Sequence, residues 1–433
     1  MVNTIQFYQI QTCIRMENLD DCQHSWFLKT FLGLWIAYYI YMMLNGIVIP
    51  KGSAIALIFS CTVFIYIVYC NVFANQYINK FILIYLYLAY IAFSIFLFSS
   101  NYFASYRLWV KYSNGLLCLP IAFNLVSTNN ARRKLMKITS VFVILFIINY
   151  ALANILHLGG SRYGTEEGIE TGNLFDEALY LNVCALIMLP YIFSYYKRFR
   201  ILTLVIYALN IAITVVCLKR TVILCIVICI FLFTILYRYF NKRKQYMPFV
   251  GNILSRKQVI ATLISILILG AIFAGLFMTQ LNARGDRIGA ELSSETRTQE
   301  LELIVKDIVY NTSDKVFFLG KETFNTVGTY ADGVFGRRMI HENYGIMLNG
   351  GGIIGLTFYI IINLWILYLF FRYTKNSNLS ENLESRLLYI AFICLWVMFL
   401  IASFSGTIWL TIYPAITHTL QGMILRFFHD GQE

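Results

Sequence analysis

Runs of about 20 apolar residues recur along the whole chain, each long enough to cross a hydrocarbon core roughly 30 Å thick at about 1.5 Å per helical residue. These windows fall near residues 26–49, 54–74, 81–98, 112–127, 138–158, 176–196, 200–218, 221–237, 258–280, 350–371, 387–404 and 407–427, twelve in all. In lipid a backbone must satisfy its own polar groups, which leaves helices or a closed barrel. A barrel needs short alternating strands, whereas Ser140 to Leu156 and Ile260 to Phe277 are apolar on every face, so helices are predicted. With 59% hydrophobic and 13% charged residues, the chain is far from the quarter charged that is typical of soluble domains. The expected fold is an all-α polytopic transmembrane bundle of about twelve spans, residues 1–433 forming one membrane domain. Asn114, Gly115, Pro120 and Asn124 interrupt the fourth window, and only Lys219 and Arg220 separate the seventh from the eighth, so an eleven-span arrangement stays open.

Glu17, Asp20 and Asp21 precede the first window, with no apolar core ending in a cleavage site, so the span from Trp26 is expected to be retained. Orientation follows from the distribution of Lys and Arg. Arg132, Arg133, Lys134 and Lys137, then Lys197, Arg198 and Arg200, then Arg238 to Lys257, then Arg372, Lys375 and Arg386 fall in alternate loops, which are expected to be cytoplasmic along with both termini. The net charge of +12 is thus explained by topology, and no nucleic-acid partner is expected. The ten cysteines lie mostly inside spans, without metal-ligand spacing, and read as small apolar residues.

Residues 281–349 are expected to form one long outward loop between spans nine and ten. Packing does not require such a loop, so function is sought there first. Ser293 to Val309 has helical spacing, with Leu301, Ile304, Val305 and Ile308 on one side, and Asn311 to Gly336 reads as irregular. The loop carries Arg284, Arg287, Arg297, Lys306, Lys315, Lys321, Arg337 and Arg338, either as a solvated basic surface or as a site for an anion. Lys219 and Arg220 sit in a turn too short to lie far from the membrane, where they either snorkel or line a cavity that binds phosphate. The densest polar cluster, Arg337 to Tyr344, runs into Gly350-Gly-Gly-Ile-Ile-Gly355. A histidine near its ordinary pKa of about 6.5 can accept a hydroxyl proton at neutral pH, which makes His341 the candidate base. Glu342 can orient it or replace it. The same residues also suit a plain interfacial turn, and the glycines suit close helix packing.

In this cluster the chain resembles the O-antigen ligase and polymerase superfamily, including Wzy-type polymerases, of the GT-C-like membrane glycosyltransferases. The family's long outer loop ends in His-Asn, a short mixed run, then Glu-x-Gly-x-x-Gly entering a span. The matching residues here are His341, Glu342, Asn343, Leu348, Gly350, Gly352 and Gly355; Glu342 stands in place of the family's Asn, and Gly350 in place of its Glu. Arg297 to Leu301 and Phe318 to Glu322 occupy the places of the family's Arg-x-x-x-Trp helix and glycine turn, and Lys219-Arg220 those of its Ser-Arg pair.

The resemblance implies metal-independent, inverting glycosyl transfer at the periplasmic face of the bacterial inner membrane, without a cofactor. Undecaprenyl-diphosphate-linked glycans would serve as donor and acceptor. His341 would be the catalytic base, Arg220, Arg297, Arg338, Arg284 and Lys219 would bind the diphosphate, and Glu342 would join them in holding the substrate. A polymerase of O-antigen or another surface polysaccharide is the expectation, with a chain-length regulator and a flippase as candidate partners. Ligation to lipid A-core is the alternative enzyme reading. A lipid-linked oligosaccharide flippase or other transporter is the alternative of a different class, although no related halves are evident.

Overall fold

The computed structural model describes residues 26–44, 48, 54–73, 76–157, 175–195, 200–217, 220–241, 296–310, 313–321, 324, 340, 342–377, 379, 382–405 and 412–431. Within them the chain is helical, with no strand. The helices are α1 (Trp26–Leu44), α2 (Ala54–Phe73), α3 (Ile82–Phe98), α4 (Tyr102–Leu125), α5 (Asn129–Leu156), α6 (Phe175–Tyr195), α7 (Arg200–Val216) and α8 (Arg220–Asn241). They continue with α9 (Thr296–Val305), α10 (Asp314–Leu319), α11 (Asn343–Thr374), α12 (Leu383–Ser405) and α13 (Ile412–Asp430). Six stretches, in α1, α3, α5, α8, α11 and α12, are long and apolar enough to cross a membrane, and the protein is membrane-embedded. The window at 258–280 and most of the long loop lie outside the described residues.

The centre of the bundle is the pair α4 and α13, which pack along one another, with α2, α3, α6, α11 and α12 around them. Residues 112–126 and 413–425 are buried without interruption. In the fourth window Asn114, Gly115, Pro120 and Asn124 do not break the helix, which runs unbroken from Tyr102 to Leu125. Gly115 lies against Pro414, and Gly422 lies against the backbone of Leu119. Polar residues are tolerated there because neither helix presents them to lipid; Asn124 Nδ2 donates to Pro120 O at 2.7 Å, and Thr419 Oγ1 to Ala415 O at 2.6 Å. By contrast α8 turns Leu224, Val227, Ile230 and Phe231 outward, as a lipid-facing helix must.

A Cβ added at Gly422 would sit 2.4 Å from Leu119 O and 2.9 Å from Ala122 Cβ. Gly422→Ala is therefore expected to cost about 1–3 kcal/mol by forcing the central pair apart, read as a lower thermal midpoint in detergent. Gly33→Ala, with nothing within 4 Å of the new methyl, is the control and should leave the midpoint near that of the unaltered protein.

The segments expected to share one membrane face meet at one end of the bundle. Lys80 contacts His429, Arg132 lies over the Phe427 ring at 5.0 Å, Tyr191 Oη donates to Glu384 Oε1 at 3.0 Å, and Arg386 lies over the Tyr237 ring at 5.8 Å. We refer to this as the basic end. At the other end Lys315 of the long loop lies over the Phe98 ring at 4.9 Å, beside the turn from α3 to α4.

Candidate functional site

At that other end the long loop returns to the bundle through α9, α10 and the start of α11. The amphipathic stretch predicted from Ser293 is a helix from Thr296 that loosens into a π turn over Lys306–Tyr310, with Ile304 and Ile308 fully buried. The next stretch, expected to be irregular, contains the short helix α10. It ends at Gly320, where φ is +77° and ψ −175°. Helix α11 begins at Asn343, seven residues before the expected span, and breaks at Gly352, where φ is +60° and ψ −161°. Both glycines adopt a backbone region that is essentially closed to residues with a side chain.

The two glycines face each other. A Cβ on Gly320 would lie 2.5 Å from Gly350 C, and one on Gly352 would lie 2.5 Å from Phe318 O. Breaking a helix strands carbonyls that would otherwise accept within it, and here each finds another donor. Lys321 N donates to Asn349 O at 2.7 Å, Ser94 Oγ to Gly350 O at 3.0 Å, and Tyr90 Oη to Gly351 O at 2.7 Å. Ser94 and Tyr90 are four residues apart and share one face of α3. The glycine clasp thereby fixes the last turns of the loop to the membrane bundle.

The arm of α11 before the break is also held from its other sides. Asn343 Nδ2 lies 3.3 Å from Ser403 Oγ and 3.4 Å from Tyr359 Oη. Tyr87 Oη donates to Met347 Sδ at 2.8 Å and accepts from Tyr112 Oη at 3.1 Å. A small cavity lined by Tyr87, Tyr112, Asn343, Tyr359, Asn363 and His418 lies beneath, with room for one water at about 10 Å³.

Glu342 occupies the N-cap position of α11 and is buried, with 3% of its surface exposed. An ideal Cβ on Gly345 would lie 3.0 Å from Glu342 Oε1 and 3.1 Å from Ile304 Cδ1, so the helix that carries Arg297 packs directly on the segment that follows His341. Glu300, one turn after Arg297 on α9, is fully buried. Sequence reasoning passed over this second interior carboxylate; its signal was an acid in a helix whose flanking positions carry the apolar stripe. Of the cations in the loop, Lys321 pairs with Asp307 at 2.6 Å, and Lys315 is exposed.

His341, Arg284, Arg338 and Lys219 lie outside the described residues, as do the side chains of Arg220 and Arg297. The backbone of Arg220 opens α8, and that of Arg297 lies in the first turn of α9. His341 sits between Ile340, fully buried, and buried Glu342. Among the described residues no three His, Cys, Asp or Glu side chains are grouped to hold a metal ion. No family model matches the chain, and no curated protein matches it.

Proposed function

We propose that the protein is a membrane glycosyltransferase that joins lipid-diphosphate-linked oligosaccharide units into a surface polysaccharide at the outer face of the bacterial inner membrane. The observation that supports it best is the packing of α9 on the start of α11, through Ile304 against Gly345. This contact sets α9, the helix whose first turn contains Arg297, against the start of α11, which follows His341 in the chain. In this reading His341 takes the proton of the acceptor sugar hydroxyl, and the oxygen displaces the lipid diphosphate from the anomeric carbon with inversion. Arg220 and Arg297 stabilise the charge that develops on the leaving diphosphate, for which planar guanidinium groups are suited. Twelve spans, both termini inside and a periplasmic site complete the proposed topology.

The test is polymer formation in proteoliposomes supplied with purified lipid-diphosphate repeat units. Chains that lengthen support the enzyme; units that cross the membrane without lengthening would establish the transporter. Transfer confined to a lipid A-core acceptor would establish the ligase. Losing one charged hydrogen bond costs about 1.5–3 kcal/mol, so Arg220→Ala and Arg297→Ala are each expected to lower kcat/KM for the donor by about ten- to a hundredfold. Lys315→Ala removes an exposed cation and should change it by less than about twofold. Equal losses at all three positions would mean that the loop acts through its total charge.

A further inference from the structure

A polar cavity opens at the basic end, away from the glycine clasp. It has a volume of about 400 Å³, and its lining includes Ser127, Arg132, Asn376, Ser377, Asn382 and Asp430. At about 30 Å³ per water molecule that is space for a dozen waters, enough to admit a polar headgroup.

Its chemistry has two signs. Arg132 is 7% exposed and donates Nη1 to Ser127 O at 3.0 Å and Nη2 to Asn129 Oδ1, while its Nε has no hydrogen-bond partner. A buried guanidinium that bonds only neutral oxygens leaves its charge unpaired, and an anion in the cavity satisfies it. Two helices begin at the same wall: α5, capped by Thr128 through Ala131 N at 3.2 Å, and α12, where Asn382 Oδ1 accepts from Glu384 N at 2.9 Å. Both starts present the positive end of a helix dipole.

The lining also includes Asp430, which is held by Arg426 at 2.6 Å, and Gly431, at the negative end of α13. Arg386 lies nearby, with its Nε engaged by Leu379 O at 3.0 Å, and Lys80 is taken up by His429 and the aromatic rings of Tyr77, Phe123 and Tyr373. A simple anion would meet Arg132 favourably but Asp430 unfavourably. A ligand with a phosphate and an ammonium meets Arg132 with the first and, with the second, the accessible side of Asp430 beyond its pair with Arg426. The ends of membrane-embedded helices lie at the depth of phospholipid headgroups, some of which combine a phosphate with an ammonium.

We propose that this pocket binds the phosphoethanolamine headgroup of a membrane phospholipid, its phosphate on Arg132 and the starts of α5 and α12, and its ammonium on Asp430 and the end of α13. The assignment is independent of the glycosyl-transfer reading, since it concerns the opposite end of the bundle.

The experiment is binding to the delipidated full-length protein in detergent, by native mass spectrometry and thermal shift, with phosphatidylethanolamine, phosphatidylglycerol and soluble glycerophosphoethanolamine as probes. Phosphatidylethanolamine is expected to bind at least tenfold more tightly than phosphatidylglycerol and to raise the unfolding midpoint. Arg132→Met should abolish that preference. Because Arg132 also ties down the α4–α5 turn, Ser377→Leu serves as a second variant, which fills the cavity without touching the guanidinium and should lower affinity at least tenfold. Equal binding of both lipids, or unchanged affinity in Ser377→Leu, would overturn the assignment. Binding of the soluble compound without either lipid would overturn the lipid source.

Discussion

A His341→Ala protein is expected to take up the lipid-linked donor at normal affinity yet elongate it at least a hundredfold more slowly. The magnitude follows from the chemistry: a positioned general base contributes about 10²- to 10⁴-fold, and alanine leaves only water to accept the hydroxyl proton. Donor binding should survive because the diphosphate is assigned to arginines on other elements. The surroundings make the substitution interpretable. Ile340 and Glu342, the neighbours of His341 in the chain, are buried, and the helix that follows is tied by Asn343, Met347 and the glycine clasp. Polymer length on gels and donor photo-crosslinking check the two halves of the expectation. Normal chain lengths in His341→Ala would remove the residue from the mechanism, and a parallel loss of cross-linking would make it a binding residue instead.

The second large effect is expected in stability. Gly352→Ala and Gly320→Ala should each destabilise the protein by about 3 kcal/mol or more, because each imposes a disfavoured backbone and a contact near 2.5 Å with backbone atoms that have no rotamer to change. Gly351→Ala supplies the comparison. Its new methyl would lie 3.5 Å from Tyr90 Cε1, an ordinary contact, so the midpoint should fall little. Thermal unfolding of the three variants in one detergent decides the matter. Indistinguishable midpoints for Gly352→Ala and Gly351→Ala would show that the clasp carries no strain-free role for glycine.

Much of the helical plan was legible because lipid imposes it. The windows at 54–74, 81–98 and 387–404 match α2, α3 and α12 within a few residues, since a hydrocarbon core sets their length. Legibility failed where protein rather than lipid surrounds a helix. In α4, Asn114 and Asn124 look like interruptions on a hydropathy scale, but they are interior positions facing other helices. The glycines after Asn349 were readable as packing residues, while the demand for positive φ at Gly352 depends on Gly320, thirty-two residues earlier, and no local pattern carries that. The site was legible only as a set of residue types. The contact between Ile304 and Gly345 joins two halves of the loop, and spacing along the chain gives no measure of such a distance.

The pairing of α4 with α13 has a consequence for biogenesis. Helix α4 is made early, with its asparagines suited to a protein neighbour, and that neighbour is the last described helix to leave the ribosome. Until then the nascent bundle must shelter a half-built seam, either among its earlier helices or with an insertase, and the seam closes only once α13 has joined it.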